Sequence, residues 1–136
     1  MIYLDSAAII KLLRREAETE ELVGWLNDRT GMSLVASVLV EVEVPRALRR
    51  SAPQALVGVP AALSRLYRVE IDATVRSMAG SYADPLLRSL DAIHLATAQL
   101  LAGDAGSDFA AFVTYDRRLL GLAKGVGLPI ASPGAE

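Results

Sequence analysis

An acid placed at the end of an apolar strand, twice over, is the pattern that most restricts this chain. Met1-Ile2-Tyr3-Leu4 is an apolar run closed by Asp5, and a helical pattern starts at once with Ser6-Ala7-Ala8-Ile9-Ile10. Phe112-Val113-Thr114-Tyr115-Asp116 repeats the arrangement: apolar strand, acid, then the helical Arg117-Arg118-Leu119-Leu120. In open parallel α/β sheets, ligands bind outside the carboxyl ends of the strands. Two acids delivered to that edge point to a carboxylate site for a hard cation.

The rest of the chain alternates in the same way, which predicts an α/β fold with a parallel sheet. Strands are expected at Ile2-Leu4, Leu34-Ala36, Arg68-Ile71 and Phe112-Thr114, with a weaker one near Leu128-Ala131. Helices are expected at about Ser6-Arg15, Glu18-Arg29, Ser37-Arg50, Pro53-Arg65, Ala73-Ser81, Pro85-Ala102 and Arg117-Lys124. Gly31, Gly103, Gly125 and Gly127 fall just past helical runs, where glycine commonly ends a helix. The tail Ser132-Pro133-Gly134-Ala135-Glu136 is expected to be loose. The 136 residues fit one domain, and 52% hydrophobic content supplies a substantial core.

Two further acids interrupt apolar helices. Ser37-Val38-Leu39-Val40-Glu41-Val42-Glu43-Val44 is apolar nearly all round, so the helix is expected to be buried. A buried acid is costly unless paired or metal-bound. Glu41 and Glu43 are two apart and face opposite ways. Glu43 is favoured as the site acid because Arg46 and Arg50 share its face, although an ordinary Glu43–Arg46 ion pair is the plain alternative. Pro45 stands four residues after Glu41 and should bend the helix there. In Ser89-Leu90-Asp91-Ala92-Ile93-His94, Asp91 is either a first-turn acid capped by Ser89, or lies deeper in a helix begun by Asp84-Pro85. His94 is one turn on, either a hydrogen-bonded core residue or an orienting partner for a carboxylate. Asp116 and Ser6 also read as helix caps. Thr114 is either a β-branched strand residue or a hydroxyl at the site rim. Glu16, Glu18, Glu20, Glu21, Asp28, Asp104 and Asp108 sit in polar or loop segments and are expected to be solvated.

Composition narrows the chemistry. With no cysteine and one histidine, thiolate zinc sites, cysteine nucleophiles and multi-histidine metal sites are excluded. Oxygen ligands suit Mg²⁺ or Mn²⁺. Clustered carboxylates repel, and a divalent cation removes the conflict. The fitting reaction is phosphodiester hydrolysis by a metal-activated water. Asp5 and Asp91 are the expected metal ligands, with Glu43 and Asp116 completing the catalytic set. The net charge of −2 does not by itself indicate nucleic acid. Local clusters do more: Lys11, Arg14 and Arg15; Arg46, Arg49 and Arg50; Arg117 and Arg118. Arg46, Ser6 and Thr114 are the candidate substrate contacts. No apolar run is long enough to span a membrane, no signal peptide is recognised, and a cytoplasmic protein is expected.

At this point the residues resemble a family. Ile2-Tyr3-Leu4-Asp5-Ser6-Ala7-Ala8, Val42-Glu43-Val44-Pro45-Arg46-Ala47-Leu48-Arg49-Arg50, Leu90-Asp91-Ala92-Ile93-His94-Leu95-Ala96-Thr97-Ala98 and Phe112-Val113-Thr114-Tyr115-Asp116-Arg117-Arg118-Leu119 are similar, in order and spacing, to the motifs of PIN-domain ribonucleases, most closely the VapC toxins. The resemblance implies a single PIN domain over residues 1–136, a three-layer α/β/α fold with a central parallel sheet of four to five strands. It implies Mg²⁺- or Mn²⁺-dependent cleavage of RNA, a toxin of a toxin–antitoxin module, and a cognate antitoxin partner. The family's four acids fall on Asp5, Glu43, Asp91 and Asp116. Its usual threonine after the first acid is Ser6 here, and Glu41 is an unusual extra acid. A homodimer is the expected assembly. Leu12-Leu13 and Leu22-Trp25-Leu26 are candidate exposed faces for the antitoxin, with Trp25 as anchor or as core. Two alternatives differ in class. One is another Mg²⁺-dependent phosphoryl-transfer enzyme with Asp5 as nucleophile; there the usual second aspartate two residues on is replaced by Ala7. The other is a non-catalytic PIN-like binding module.

Overall fold

Ile2 and Leu4 point to one side of a strand and Tyr3 to the other, because successive side chains of a strand alternate. All three are fully buried, so the strand must be covered on both faces. The computed structural model, which describes residues 1–135, shows how. Strand β1 (Ile2–Leu4) lies at the centre of a five-stranded sheet with β2 (Leu34–Ser37), β3 (Leu66–Val69), β4 (Ala111–Val113) and β5 (Ile130–Ala131). The order is β3-β2-β1-β4-β5 and every pairing is parallel.

Two cores result, one on each face. Ile2, Leu4, Ala36, Ala111 and Val113 pack against helices α1 (Ser6–Leu13), α2 (Thr19–Asn27) and α3 (Val40–Ser51), and against a 3-10 helix (Pro53–Gly58) continued by α4 (Val59–Ser64). Tyr3, Val35 and Phe112 pack on the other face against α6 (Ser89–Gly103) and α7 (Arg117–Gly125). Helix α5 (Ala73–Ser81) packs on α6. The architecture is a three-layer α/β/α sandwich, as expected. Among the described residues no helix is long and apolar enough to cross a membrane.

Several expectations are corrected. Helix α3 begins at Val40, not Ser37, because Ser37 still pairs with Val69 in the sheet and its hydroxyl accepts from Leu39 N–H at 3.2 Å. The helix runs on through Pro45. It is not buried all round: Val40, Val44 and Leu48 are fully buried while Val42 is 62% exposed. The expected Pro53–Arg65 helix is split, since Pro60 has no N–H for the helical ladder. β3 starts two residues early, held by its register with β2. Helix α6 starts at Ser89, not Pro85, because Asp84 Oδ1 accepts from Leu86 N–H at 2.8 Å and makes a local turn instead of a cap. Of the glycines past helices, Gly127 takes the left-handed conformation (φ 87°) that favours glycine.

The tail through Ala135 is anchored rather than loose. Ser132 Oγ donates to Thr114 O at 2.7 Å, and Tyr115 Oη donates to Pro133 O at 2.8 Å; Glu136 lies outside the described residues. Three acids expected to be solvated are ion-paired: Glu18 with Lys11 at 2.7 Å, Glu16 with Arg14 at 2.9 Å, and Glu20 with Arg15. Leu22 is fully buried core and not an exposed docking residue. Trp25 is half-buried against the same core, with the Arg29 guanidinium 4.0 Å from its ring centroid.

The face assignment of α3 is directly testable. Leu48→Ala should cost about 2–5 kcal/mol, the range for a fully buried leucine. Val42→Ala, on the exposed face of the same helix, should stay within about 0.5 kcal/mol of wild type. Urea denaturation of both variants decides it.

Candidate active site

The carboxyl edge of the sheet gathers acids from four segments. Asp5 follows β1 and caps α1; its Oδ1 accepts from Ala8 N–H at 2.9 Å. Asp116 follows β4 and caps α7, accepting from Arg118 and Leu119 N–H at 2.9 and 3.2 Å. Glu43 and Asp91 lie in the first turns of α3 and α6. Asp91 is therefore the first-turn acid of the two alternatives, but the residue preceding the helix is Arg88 and Ser89 does not cap it. The four acids line one pocket of about 420 Å³, together with Ser6, Arg46, Arg50, Arg88 and His94.

Glu43 is held on two sides. Ser6 Oγ donates to Glu43 Oε1 at 2.6 Å, and His94 Nε2 lies 2.8 Å from the same oxygen. His94 is buried, and its Nδ1 lies 2.8 Å from the Tyr3 hydroxyl. A carboxylate can only accept, so Nε2 carries a proton and donates it to Glu43, while Nδ1 is paired with the Tyr3 hydroxyl. Burial pushes the Tyr3 phenol well above its ordinary value, with the nearby Asp5 charge adding to the effect, which keeps it a donor. Burial also pushes Glu43 upward, but the hydrogen bonds from His94 and Ser6 outweigh it and leave Glu43 below the usual carboxylate range. Glu41 instead pairs with Arg68 at 3.2 Å and does not line the pocket. The alternative Glu43–Arg46 pair is not formed among the described residues.

Asp5 behaves oppositely. It is buried, and burial raises its carboxyl above the ordinary value; His94, the Thr114 hydroxyl and Ala8 N–H offset this in part, while the charge of Asp91 adds to it. Thr114 is fully buried and does not line the pocket. Its expected role as a substrate contact is therefore corrected. Its hydroxyl serves Asp5 and accepts from Asp116 N–H at 3.2 Å. Lys11 is also removed from the phosphate-binding candidates: it is buried, bound to Glu18, and lies 4.6 Å from the Tyr115 ring centroid. Arg46 and Arg50 face the pocket with no ion pair among the described residues. Sequence reasoning passed over two residues. Tyr3 looked like one more apolar strand position. Arg88 had only its three-residue spacing to Asp91 as a signal.

The donor set fits a hard divalent cation in kind, since every acid offers oxygen. A cation already lies between two of them: the Arg88 guanidinium is 3.0 Å from Asp91 Oδ2 and 3.7 Å from Asp116 Oδ2. The side chains are not drawn into a finished cage, however. Among the described residues no three histidine or acidic side chains are grouped closely enough to hold a metal. Glu43 is turned to His94 and Ser6, Asp91 to Arg88, and Asp116 to its helix.

A family model described as PIN domain matches residues 2–125. Ribonuclease VapC35 of Mycobacterium tuberculosis (strain CDC 1551 / Oshkosh) is 49% identical over 134 residues, covering 98% of this chain and 98% of that protein. Ribonuclease VapC46 of Mycobacterium tuberculosis (strain ATCC 25618 / H37Rv) is 42% identical over 132 residues, 97% of each. The crystal structure of VapBC2 from Rickettsia felis bound to a DNA fragment from their promoter has the same fold, with a TM-score of 0.70 over 98% of this chain and 99% of that one at 16% identity.

The hydrogen-bond chain predicts the tautomer of the only histidine in the sequence. Nitrogen NMR should find a proton on Nε2, and Tyr3→Phe should leave it there while costing about 1–3 kcal/mol through the ring nitrogen left without a partner. The acids predict two opposite pH effects in metal-free protein. Asp5 holds its proton to higher pH in the fold than in the unfolded chain, so its contribution is lost as pH rises from the ordinary Asp value to the raised one. Asp5→Asn should therefore melt above wild type at pH 7, with the gap closing as the pH falls below about 4. Glu43 contributes stability that is present above the ordinary Glu value and is lost as pH falls through its lowered value. Glu43→Gln should therefore melt below wild type at pH 7. Melting curves across pH 3–8 in chelator test both.

Proposed function

Because this chain belongs to the PIN-domain family and, within it, to the VapC ribonucleases, we propose that it is a metal-dependent endoribonuclease, the toxin of a toxin–antitoxin module, working at the four-acid pocket. The observation that carries this reading is the convergence of Asp5, Glu43, Asp91 and Asp116 with Arg46, Arg50 and Arg88 in one cleft. Acids alone would repel RNA, and bases alone would only bind it. Together they offer a place for a cation and a place for a phosphodiester.

Asp5 and Asp91 are the proposed ligands of a divalent ion. Mg²⁺ or Mn²⁺ held there would supply charge that neutralises phosphoryl oxygens and acidifies the attacking water. Glu43, with Asp116 in the same pocket, takes a proton from that water as its oxygen bonds to phosphorus; the bond to the leaving oxygen breaks, and solvent protonates that oxygen. Glu43 suits this because its lowered affinity for protons leaves it ionised at neutral pH. His94 and Tyr3 hold it from behind. Ser6 stands on the pocket wall with its hydroxyl on Glu43 and borders the substrate phosphate. Arg46 takes a neighbouring phosphate, and a flexible single strand reaches such a cleft more easily than a duplex. A nucleophilic Asp5 is disfavoured by its burial.

An antitoxin protein is the proposed partner. The apolar cavity of about 210 Å³ lined by Ile9, Leu12, Leu13, Ala61, Ala62 and Leu66 is a place for its aliphatic side chains.

RNA cleavage with Mg²⁺ or Mn²⁺ tests the reading. Asp5→Asn and Asp91→Asn should each lose about 100-fold or more in kcat, the scale for removing one electrostatic group from a reacting centre. Glu43→Gln should lose a similar amount and Glu41→Gln little. Folded Asp5 and Asp91 variants that cleave like wild type would leave only a non-catalytic PIN-like module.

A further inference from the structure

Arg88 is given no individual role above, yet its guanidinium is the one Arg or Lys group within ion-pair distance of the four acids among the described residues. It is the residue that precedes α6. Its Nε donates to Asp91 Oδ2 at 3.0 Å, its Nη2 lies 3.0 Å from that oxygen, and Nη2 is also 3.7 Å from Asp116 Oδ2. The two acids belong to different elements, so Arg88 bridges α6 to α7 through charge. Its field also reaches Glu43 and favours the ionised form there. The side chain is 77% exposed, so no packing fixes it where it is.

The Asp91 oxygen is one that a divalent ion held by Asp5 and Asp91 would need. An exposed ion pair is worth little, so a doubly charged ion can displace a single guanidinium from it. The displaced side chain stays rooted at the start of α6, in the pocket that Arg46 and Arg50 also line. A guanidinium binds a phosphate with two parallel hydrogen bonds. Resting on the nuclease reading of this pocket, we propose that Arg88 is an exchangeable counter-cation: it holds Asp91 and Asp116 until a divalent ion bound by Asp5 and Asp91 takes the Asp91 oxygen, and then turns to an RNA phosphate. The same exchange accounts for Asp91 facing Arg88 instead of the other acids.

The test is calorimetric titration of the full chain with Mn²⁺ alone at fixed ionic strength, followed by RNA cleavage at saturating Mn²⁺. Arg88→Gln should bind Mn²⁺ about two- to fivefold more tightly than wild type, the factor an exposed ion pair is worth. Arg50→Gln, which removes a pocket charge without an ion pair, should change Mn²⁺ affinity less. At saturating Mn²⁺, Arg88→Gln should raise the KM for RNA several-fold with kcat nearly unchanged. Equal Mn²⁺ affinity in wild type and Arg88→Gln, or an equal gain in Arg50→Gln, would overturn the exchange. Tighter Mn²⁺ binding with an unaltered KM would overturn the transfer to phosphate. Absence of Mn²⁺ binding in both wild type and Arg88→Gln would instead overturn the nuclease reading beneath it.

Discussion

Mutual repulsion among carboxylates at one sheet edge is the constraint around which this protein is built. Asp5, Glu43, Asp91 and Asp116 are brought into one pocket, and nothing apolar can compensate such charge. Besides Arg88 and the donors on Glu43, the backbone supplies compensation. Helices α1, α3, α6 and α7 all start at this edge, each beside one of the acids. Their N-terminal N–H groups carry partial positive charge and favour anions. For Asp5 and Asp116 the contact is direct, since both are capping residues. A cap and a candidate metal ligand are thus compatible roles: the helix start stabilises the acid that the site uses.

Behind the acids runs a buried polar relay. It passes from the Tyr3 hydroxyl to His94 and on to Glu43, where Ser6 also donates. Tyr3 and His94 belong to the layer of α6, Glu43 and Ser6 to the layer of α3 and α1. The relay therefore ties the two helical layers together at the sheet edge. Such networks rigidify a site when every member is satisfied, and here one carboxylate oxygen receives two donors. Asp5 has less support, and burial holds its carboxyl above the ordinary value. Burial and hydrogen bonding act on both acids, but burial prevails at Asp5 and hydrogen bonding at Glu43.

Much of this was legible in the sequence. The strand–acid–helix pattern located Asp5 and Asp116, and two-residue spacing separated Glu43 from Glu41, which the structure sends to Arg68. Thr114 and Lys11 were misplaced for a common reason. A polar residue between apolar neighbours has two destinations, a rim or a buried bond, and both are buried and bonded to a neighbour. The start of α6 was ambiguous because an aspartate before a proline can cap a helix or close a turn, and Asp84 closes a turn.

What the sequence settled by itself is what depends on neighbours along the chain: strand alternation, helix periodicity, the acid at each strand end, and the oxygen-only donor set that follows from one histidine and no cysteine. Tertiary structure alone decided the partners. Tyr3 and His94 are 91 positions apart, and Glu43 and Ser6 are 37 apart. Arg88 meets Asp116 only because β4 lies beside β1 and brings α7 against α6. Hydrogen bonds and ion pairs act over a few ångströms, and only packing of the sheet and its two helical layers sets which distant side chains come that close.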